Sequence, residues 1–300
     1  MKNGKLSIKK QIKSKIILSK QVNVMNDRDK LRIGGTPPIH INSANRNIIR
    51  RGEKEIVLEK HKPISVNDEQ FSIIVTAYKT QEFIEECLDS INNQSYFTKN
   101  CEYEILIGVD DCKDTLNKLM KIRDKYKNLR IFMMKKNSGT YITSNTLLKL
   151  VKYNNIIRFD SDDVMKSELI NEIMYLINDF DVIRLKYINF VNSIDIPKSG
   201  VDYANGAIFF KKNIIKMFGG YQPWKCAADH ELIRRMTNYV NIGKTDDVVF
   251  YLRIHNNALT KSSETGMKSE YRKKLLGEIK NEYSLNEIKI RRVIGDYFEV

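Results

Sequence analysis

The acidic run Asp160-Ser161-Asp162-Asp163 directly follows a mostly apolar stretch, Ile156 to Phe159. Two aspartates with one residue between them can offer oxygen ligands to the same hard divalent cation, as in sites that hold Mg²⁺ or Mn²⁺ together with a substrate phosphate. The alternative is an acidic turn that caps the next helix, and for an isolated cluster it is the better explanation. The choice depends on which other groups lie beside these carboxylates.

The stretch before the acidic run is one of four segments with the pattern of a buried strand. The first, Phe71 to Val75, is short, apolar and rich in β-branched residues, which is typical of a strand buried on both faces. A capping sequence and apolar residues at helical spacing follow it. The same alternation recurs, with predicted strands at 103–109, 130–134 and 155–159 and predicted helices at 114–126, 143–151 and 166–177. Four such units predict an α/β fold, a mostly parallel sheet with helices on both faces.

Ligands of such sheets bind at the carboxyl ends of the strands. The residues at those ends are Thr76-Ala77-Tyr78, Asp110-Asp111, Lys135 to Gly139 and the acidic run. Five carboxylates against two lysines at one edge would repel one another unless a cation or a ligand of suitable charge offsets them. The sequence therefore predicts a polar ligand that is held together with a metal ion.

Six segments carry a resemblance to a known family: SIIVTAYKTQEFIEECLDSINNQ, EILIGVDDC, KNSGTYITSN, IIRFDSDD, YANGAIFFKKNIIKMFGGY and CAADHELIRRM. In order and approximate spacing, residues 70 to 256 resemble the family-2 glycosyltransferases of the GT-A fold. The resemblance implies a Rossmann-like, mostly parallel sheet flanked by helices. It also implies a nucleotide-sugar donor, a divalent metal (Mn²⁺ or Mg²⁺) and an inverting transfer to an acceptor hydroxyl.

The resemblance assigns four residues to the nucleoside. Thr76, Ala77 and Tyr78 match the segment that lines the nucleobase and ribose pocket. Asp111 matches the position that hydrogen-bonds the base, which is usually uracil in this family, so a UDP-sugar is the expected donor. No motif marks the residues around the hexose, and the sequence therefore leaves the sugar open.

The acidic run and a histidine match the family's metal and diphosphate site. Asp160 and Asp162 resemble the Asp-x-Asp pair, with Asp160 toward the ribose and Asp162 toward the metal. Asp163 either contacts the metal or supports the site, and His255 matches a histidine that can complete the metal shell. Arg158 has two interpretations, which are neutralisation of phosphate or pairing with one of these aspartates.

Asp229 matches the aspartate that serves as catalytic base at the start of a helix. The family commonly has Glu immediately before it, whereas this chain has Ala228, which leaves the role of that preceding acid open. An N-cap is the structural alternative. The Gly219-Gly220-Tyr221 turn ahead of it and the motif order favour the base.

Three further residues are assigned to the acceptor and the sugar. Asn205 and Gly206 match the small-residue turn at which donor sugar and acceptor meet. Trp224, the sole tryptophan, either stacks on a sugar face or packs in the core.

The charge of the chain is unevenly distributed. Its 300 residues carry 51 Lys and Arg against 37 Asp and Glu, a formal net charge of +14. Residues 1–60 hold fifteen basic and five acidic residues, or +10, which leaves +4 for the rest. The overall composition excludes collagen-like, low-complexity and fully disordered classes. The four cysteines are widely spaced without a CxxC pair, which predicts reduced structural thiols and neither a disulfide framework nor a zinc site.

Three parts are predicted along the chain. Residues 1–69 form a basic extension, with a linker at Gly34 to Pro38 and a hairpin around Gly52 that packs on the main body. Residues 70–260 form the catalytic domain. Residues 261–300 form a helical tail, which either packs on that domain, mediates homo-oligomerisation or shapes the acceptor site. No apolar run is long enough for a membrane span or a signal core, so the expected location is the cytoplasm, with peripheral membrane association as an alternative.

Three functions are compatible with these features. The first is a glycosyltransferase acting on a saccharide acceptor. In the second, the basic extension holds nucleic acid and the sugar goes onto a hydroxylated base of DNA. The third, a non-catalytic binding protein, is disfavoured because both the Asp-x-Asp pair and the base candidate are present. The extension is otherwise a solvated tail or a segment that binds an anionic membrane surface. Residues 1–49 contain no Phe, Tyr or Trp to stack on bases, which favours the saccharide acceptor.

Overall fold

The computed structural model describes residues 69–99, 101–191, 193–194, 198–256, 258–284 and 290–300, together with the backbone of three short strands nearer the N-terminus. These strands are β1 (Ile39–Ile41), β2 (Ile48–Arg51) and β3 (Lys54–Val57), paired antiparallel in that order. The β2–β3 pair joins the two runs on either side of the predicted hairpin turn. The predicted linker at Gly34 to Pro38 lies outside the described residues.

The main sheet contains nine strands within the described ranges: β4 (Phe71–Ala77), β5 (Tyr103–Val109), β6 (Leu129–Met134), β7 (Asn155–Asp160), β8 (Val164–Met165), β9 (Val182–Phe190), β10 (Lys198–Lys211), β11 (Ile242–Arg253) and β12 (Tyr297–Glu299). Their order is β12-β6-β5-β4-β7-β10-β9-β11-β8. The four strands predicted from the sequence, β4 to β7, are mutually parallel and form the centre. β10 runs antiparallel between β7 and β9.

Helices cover both faces of this sheet. In the part of the chain that the structure describes they are α1 (Ile84–Asn92), α2 (Lys113–Ile122), α3 (Thr140–Leu150), α4 (Leu169–Leu176), α5 (Lys212–Met217), α6 (Ala228–Met236) and α7 (Glu270–Ser284). Successive β4 side chains point to opposite faces. Ile73 and Val75 pack in one core with α1, α2 and α4, whereas Ile74 packs in a second with α3, α5 and α6. The predicted α/β architecture is confirmed.

The C-terminal residues pack against α3 and the edge of the main sheet. The helical pattern predicted around residues 271–279 is confirmed by α7, but the last residues are extended, and β12 pairs antiparallel with β6 at the edge of the sheet. The Asn145 side chain donates to the Val293 carbonyl at 3.3 Å, and the Gly295 N–H donates to Thr146 Oγ1 at 3.0 Å, both on α3. No described helix is long and apolar enough to cross a membrane. The four cysteines are free thiols, as predicted.

Candidate active site

Backbone strain marks the edge where the predicted site lies. Within the described ranges, the non-glycine residues with positive φ are Lys79 after β4 (56°), Asp111 after β5 (52°) and Ala227 before α6 (61°). A non-glycine residue in this left-handed region costs about 1–3 kcal/mol, and such residues cluster at ligand-binding sites. Lys79 directly follows the predicted nucleoside segment, Asp111 is itself assigned to the nucleoside, and Ala227 lies two residues before the predicted base, Asp229.

Asp110 anchors the loop that leads into α3. Its carboxylate accepts the N–H groups of Ser138 at 2.7 Å and Gly139 at 2.8 Å, and its own N–H donates to the Ala77 carbonyl at 2.9 Å. Burial raises the pKa of Asp110, although the two backbone donors oppose this. The neighbouring Asp111 is exposed. The first acid of the pair is therefore committed to the loop, which leaves the second accessible to a ligand.

Replacing Asp110 tests this anchoring. We expect Asp110→Ala to lower the free energy of unfolding by about 2–3 kcal/mol, because two loop N–H groups lose their carboxylate acceptor. Urea denaturation followed by circular dichroism measures the change. The control is Asp111→Asn, which tolerates the left-handed backbone and is expected to stay within about 0.5 kcal/mol of the original chain. Equal stabilities of the two variants would contradict the anchoring role.

Arg158 lies buried at the carboxyl ends of the central strands. Only 2% of it is exposed. Its Nη1 donates to Asp160 Oδ2 at 2.6 Å and its Nη2 to Thr140 Oγ1 at 2.8 Å, and the hydroxyls of Thr140 and Thr76 lie 2.7 Å apart. These contacts join β7, α3 and β4. Of the two predicted roles for Arg158, they favour pairing with an aspartate.

Asp229 reaches the same space from the first turn of α6. Its Oδ1 accepts a hydrogen bond from the Tyr141 hydroxyl at 2.8 Å. Gly206 lies over the site: a Cβ atom added there would be 2.8 Å from Arg158 Nη1, 3.0 Å from Asp160 Oδ2 and 3.9 Å from Asp229 Oδ2. The carboxylates of Asp160 and Asp229 thus lie close together beside Gly206, where the absence of a side chain leaves room for Arg158 and Asp160.

The segment around Gly206 differs from the predicted turn before a strand. Asn205 and Gly206 lie inside β10, where the pairing with β9 shifts register between Tyr203 and Ile208. The Asn205 Oδ1 accepts from Arg184 Nη2 at 2.9 Å. A bulge of this kind bends the strand locally and often occurs next to active sites. The predicted small residues therefore lie in an irregular part of β10, and their contact with donor sugar and acceptor stays a prediction.

Carboxylates crowd this edge of the sheet. Burial raises the pKa of Asp160, and the charges on Asp162 and Asp229 add to the shift, whereas Arg158 opposes it. Burial also raises the pKa of Asp163 well above its usual range, with further contributions from Asp162 and Asp160. Like charges this close favour the binding of a cation.

Asp162 and His255 form the pair best suited to hold a metal ion. Asp162 Oδ2 and His255 Nε2 are 2.8 Å apart. A carboxylate oxygen suits Mg²⁺ or Mn²⁺, and an imidazole nitrogen is a ligand for other first-row metals. Asp163 is buried, and its Oδ1 accepts the Arg253 N–H at 2.9 Å. Among the described residues, no three His, Cys, Asp or Glu side chains converge on one metal position. The pair therefore fits an ion whose other ligands come from substrate phosphate and water.

Two predicted aromatic contacts lie apart from this network. Tyr78, which the sequence assigns to the nucleoside pocket, directly follows β4 and is 45% exposed. Trp224 is half-buried and packs against Cys226 and Leu275, as well as against the core beneath α6. Core packing accounts for these Trp224 contacts, and its contact with a sugar stays a prediction.

The first turn of α3 supplies two site residues that the sequence did not mark. The predicted helix began at Thr143, whereas α3 begins at Thr140, after Gly139 with φ 87°. A threonine, a tyrosine and an isoleucine open it, and all three residue types are weak helix formers. The glycine at the strand end was the available signal for an earlier start. The sequence pattern therefore places Thr140 and Tyr141 in the preceding loop, whereas they form the first turn of α3.

A buried ion pair fixes α6 against the glycine turn. Arg235 bonds the Glu231 carboxylate at 2.8 and 2.9 Å, and it also donates to the carbonyls of Phe218 and Gly220. Both charged side chains are essentially inaccessible. The pair holds the helix that carries Asp229. The predicted Gly219-Gly220 turn takes part in this contact, because the Gly220 carbonyl accepts a hydrogen bond from Arg235.

Comparison with known proteins gives the family of the matched segment. Residues 72–216 match the family model described as Glycosyl transferase family 2. The chain is 27% identical over 206 residues to a poly(ribitol-phosphate) beta-glucosyltransferase of Bacillus spizizenii, a match that spans 67% of this chain and 31% of that protein. It is 24% identical over 217 residues to the O-antigen biosynthesis glycosyltransferase WbnJ of Escherichia coli, spanning 65% and 84%. The match to TarP of Staphylococcus aureus, a poly(ribitol-phosphate) beta-N-acetylglucosaminyltransferase, is 28% identical and spans 49% and 48%.

Solved structures share the fold. S. aureus TarS 1-349 in complex with UDP-GlcNAc superposes with a TM-score of 0.57 at 20% identity, over 72% of this chain and 66% of that one. The mannosyltransferase PcManGT from Pyrobaculum calidifontis, in complex with GDP-Man and Mn²⁺, gives 0.53 at 14% identity, over 72% and 70%. Residues 72–216 therefore belong to glycosyltransferase family 2, and the sheet that they share with β11 and β12 has the GT-A fold.

Proposed function

We propose that this protein is an inverting glycosyltransferase that moves a sugar from a UDP-sugar to an acceptor hydroxyl on a saccharide polymer. The observation that carries the proposal is the closeness of Asp160 and Asp229 at Gly206, where their Oδ2 atoms are 3.0 and 3.9 Å from the position that a Cβ atom on this glycine would take. A donor held by Asp160 and an acceptor held near Asp229 would meet there.

The names of the similar proteins support the substrate classes. TarS has been solved with UDP-GlcNAc and with UDP, and PcManGT with GDP-Man and Mn²⁺. The relatives from B. spizizenii and S. aureus are named for poly(ribitol-phosphate), and WbnJ for O-antigen biosynthesis. A phosphate-containing acceptor would also give the +10 charge of residues 1–60 a partner.

The proposed reaction is a single displacement at the anomeric carbon. The acceptor oxygen attacks from the face opposite the diphosphate, and Asp229 takes the hydroxyl proton. The new C–O bond forms as the bond to the diphosphate oxygen breaks, and the electron pair leaves with the diphosphate, so the configuration inverts. Asp162 and His255 would hold a divalent metal, which would supply Lewis-acid stabilisation of the departing charge. Arg158 holds Asp160 in place beneath the donor.

A donor screen tests the function directly. UDP- and GDP-linked sugars are offered with Mn²⁺ and saccharide or polyol-phosphate acceptors, and nuclear magnetic resonance identifies the product's anomeric configuration. We expect transfer from a UDP-sugar with the configuration opposite to that of the donor. A product with retained configuration would overturn the proposed mechanism, and absence of turnover with the whole set would overturn the assignment of these substrate classes.

Asp162→Ala tests the metal assignment. We expect the original chain to bind UDP at least about tenfold more tightly with Mn²⁺ than with EDTA, and the variant to lose this difference because one of the two metal donors is gone. Isothermal titration calorimetry measures both affinities. The control Asp246→Ala removes an exposed carboxylate on β11 and should keep the Mn²⁺ dependence. A persistent Mn²⁺ effect in Asp162→Ala would exclude Asp162 as a ligand.

A further inference from the structure

We propose that Tyr141 is a positioning residue that determines which oxygen of Asp229 faces the acceptor. The inference deepens the proposed function and rests on Asp229 being the base. Tyr141 lies in the first turn of α3, is only 4% exposed and donates to Asp229 Oδ1 at 2.8 Å. The other oxygen, Oδ2, is the one that faces Gly206, 3.9 Å from the position that a Cβ atom there would take. The hydroxyl thus occupies one oxygen and leaves the second for the proton.

The chemistry of the tyrosine fits a permanent donor. Burial and the charge on Asp229 raise the pKa of Tyr141 well above its usual range, so the phenol stays protonated. Its ring lies beside that of Tyr221, with centroids 5.6 Å apart. A neutral hydroxyl on a ring that is held by packing gives the Asp229 carboxylate one fixed hydrogen bond. This bond limits the rotation of the carboxylate.

The residue before Tyr141 ties the same helical turn to the donor side. Thr140 Oγ1 accepts from Arg158 Nη2 at 2.8 Å, and Arg158 holds Asp160 at 2.6 Å. Thr140 therefore contacts Arg158, which is the partner of the donor aspartate, and the next residue, Tyr141, contacts the base. This shared support fixes the distance between the groups that must act on the two substrates. A shift of about 1 Å in such a site can cost 10²-fold in rate.

Tyr141→Phe removes the hydroxyl and keeps the ring. We expect kcat for sugar transfer to fall about 10- to 100-fold, with the affinity for UDP in Mn²⁺ unchanged. The matched control is Tyr126→Phe: Tyr126 is 5% exposed and donates to Asp89 at 2.6 Å, between α1 and the end of α2. It should lose a comparable amount of thermal stability and keep its kcat. Equal kcat losses in the two variants would overturn the inference.

A double variant separates positioning from a general structural effect. If Tyr141 acts through Asp229, Tyr141→Phe has no further effect on the residual turnover of Asp229→Asn, whereas independent effects would multiply. Multiplied losses would therefore contradict the inference. Asp229→Glu gives a second route that leaves Tyr141 intact: the longer side chain cannot keep both oxygens in place, so kcat should fall while UDP binding persists. An original kcat in Asp229→Glu would also overturn it.

The outcomes distinguish this inference from the function beneath it. Undiminished transfer by Asp229→Asn would show that Asp229 is not the base, which would contradict both the proposed mechanism and the inference about Tyr141. An inactive Asp229→Asn with a fully active Tyr141→Phe would remove only the positioning role.

Discussion

We expect Asp229→Asn to lower kcat for sugar transfer by about 10³-fold, because general base catalysis of this kind contributes roughly 10²–10⁴. The asparagine has nearly the same shape, and its side-chain carbonyl can still accept the Tyr141 hydroxyl that bonds Oδ1 at 2.8 Å. Its amide cannot take a proton from the acceptor. The loss should therefore appear in turnover and leave the binding of UDP intact.

Two measurements check this expectation. Steady-state kinetics with a verified donor and acceptor gives kcat, and calorimetry gives the affinity for UDP in Mn²⁺. His230→Asn is the control, since His230 is the exposed neighbour of Asp229 on α6 and has no contact with the site network among the described contacts. Transfer by Asp229→Asn at the original rate would remove Asp229 as the base. A loss of UDP affinity equal to the loss of kcat would place its role in donor binding instead.

The centre of the fold was predictable because its signals are local. β4 to β7 are short runs of branched apolar residues between polar ends, and the structure places them parallel at the centre of the sheet. β12 was not predicted because it is three residues long and lies at the edge of the main sheet, where pairing with β6 stabilises it. Such a strand depends on its partner and leaves little pattern in its own sequence.

The candidate site shows the same division between residues that the local sequence marks and residues that depend on distant contacts. Asp160, Asp162 and Asp229 could be placed from their motifs, because each follows or begins a recognisable element. Tyr141 could not, since its partner Asp229 is 88 residues away and nothing local announces the contact. The commitment of Asp163 to the Arg253 N–H, across 90 residues, is likewise invisible in the acidic run itself. Long-range pairing decides which polar residues serve the fold and which remain for a ligand.

Gly206→Ala should disable the enzyme through a single methyl group. The φ of Gly206 is not positive, so an alanine can adopt its backbone and the effect is steric. The added Cβ would be 2.8 Å from Arg158 Nη1 and 3.0 Å from Asp160 Oδ2, closer than ordinary van der Waals contact. Arg158 cannot easily yield, because it is buried and also bonds Thr140. We expect kcat/KM to fall about 10²-fold, as both the reacting space and the donor aspartate are disturbed.

The control for Gly206→Ala is Gly277→Ala, since a Cβ atom at Gly277 in α7 would meet nothing within 4 Å. That variant should keep its activity and gain up to about 1 kcal/mol of stability from the better helix former. Gly206→Ala should instead lose about 1–3 kcal/mol through overpacking, measured by urea denaturation beside the kinetics. Original transfer kinetics in a folded Gly206→Ala would mean that donor and acceptor do not meet at this point. The proposed reaction space would then lie elsewhere along the sheet edge.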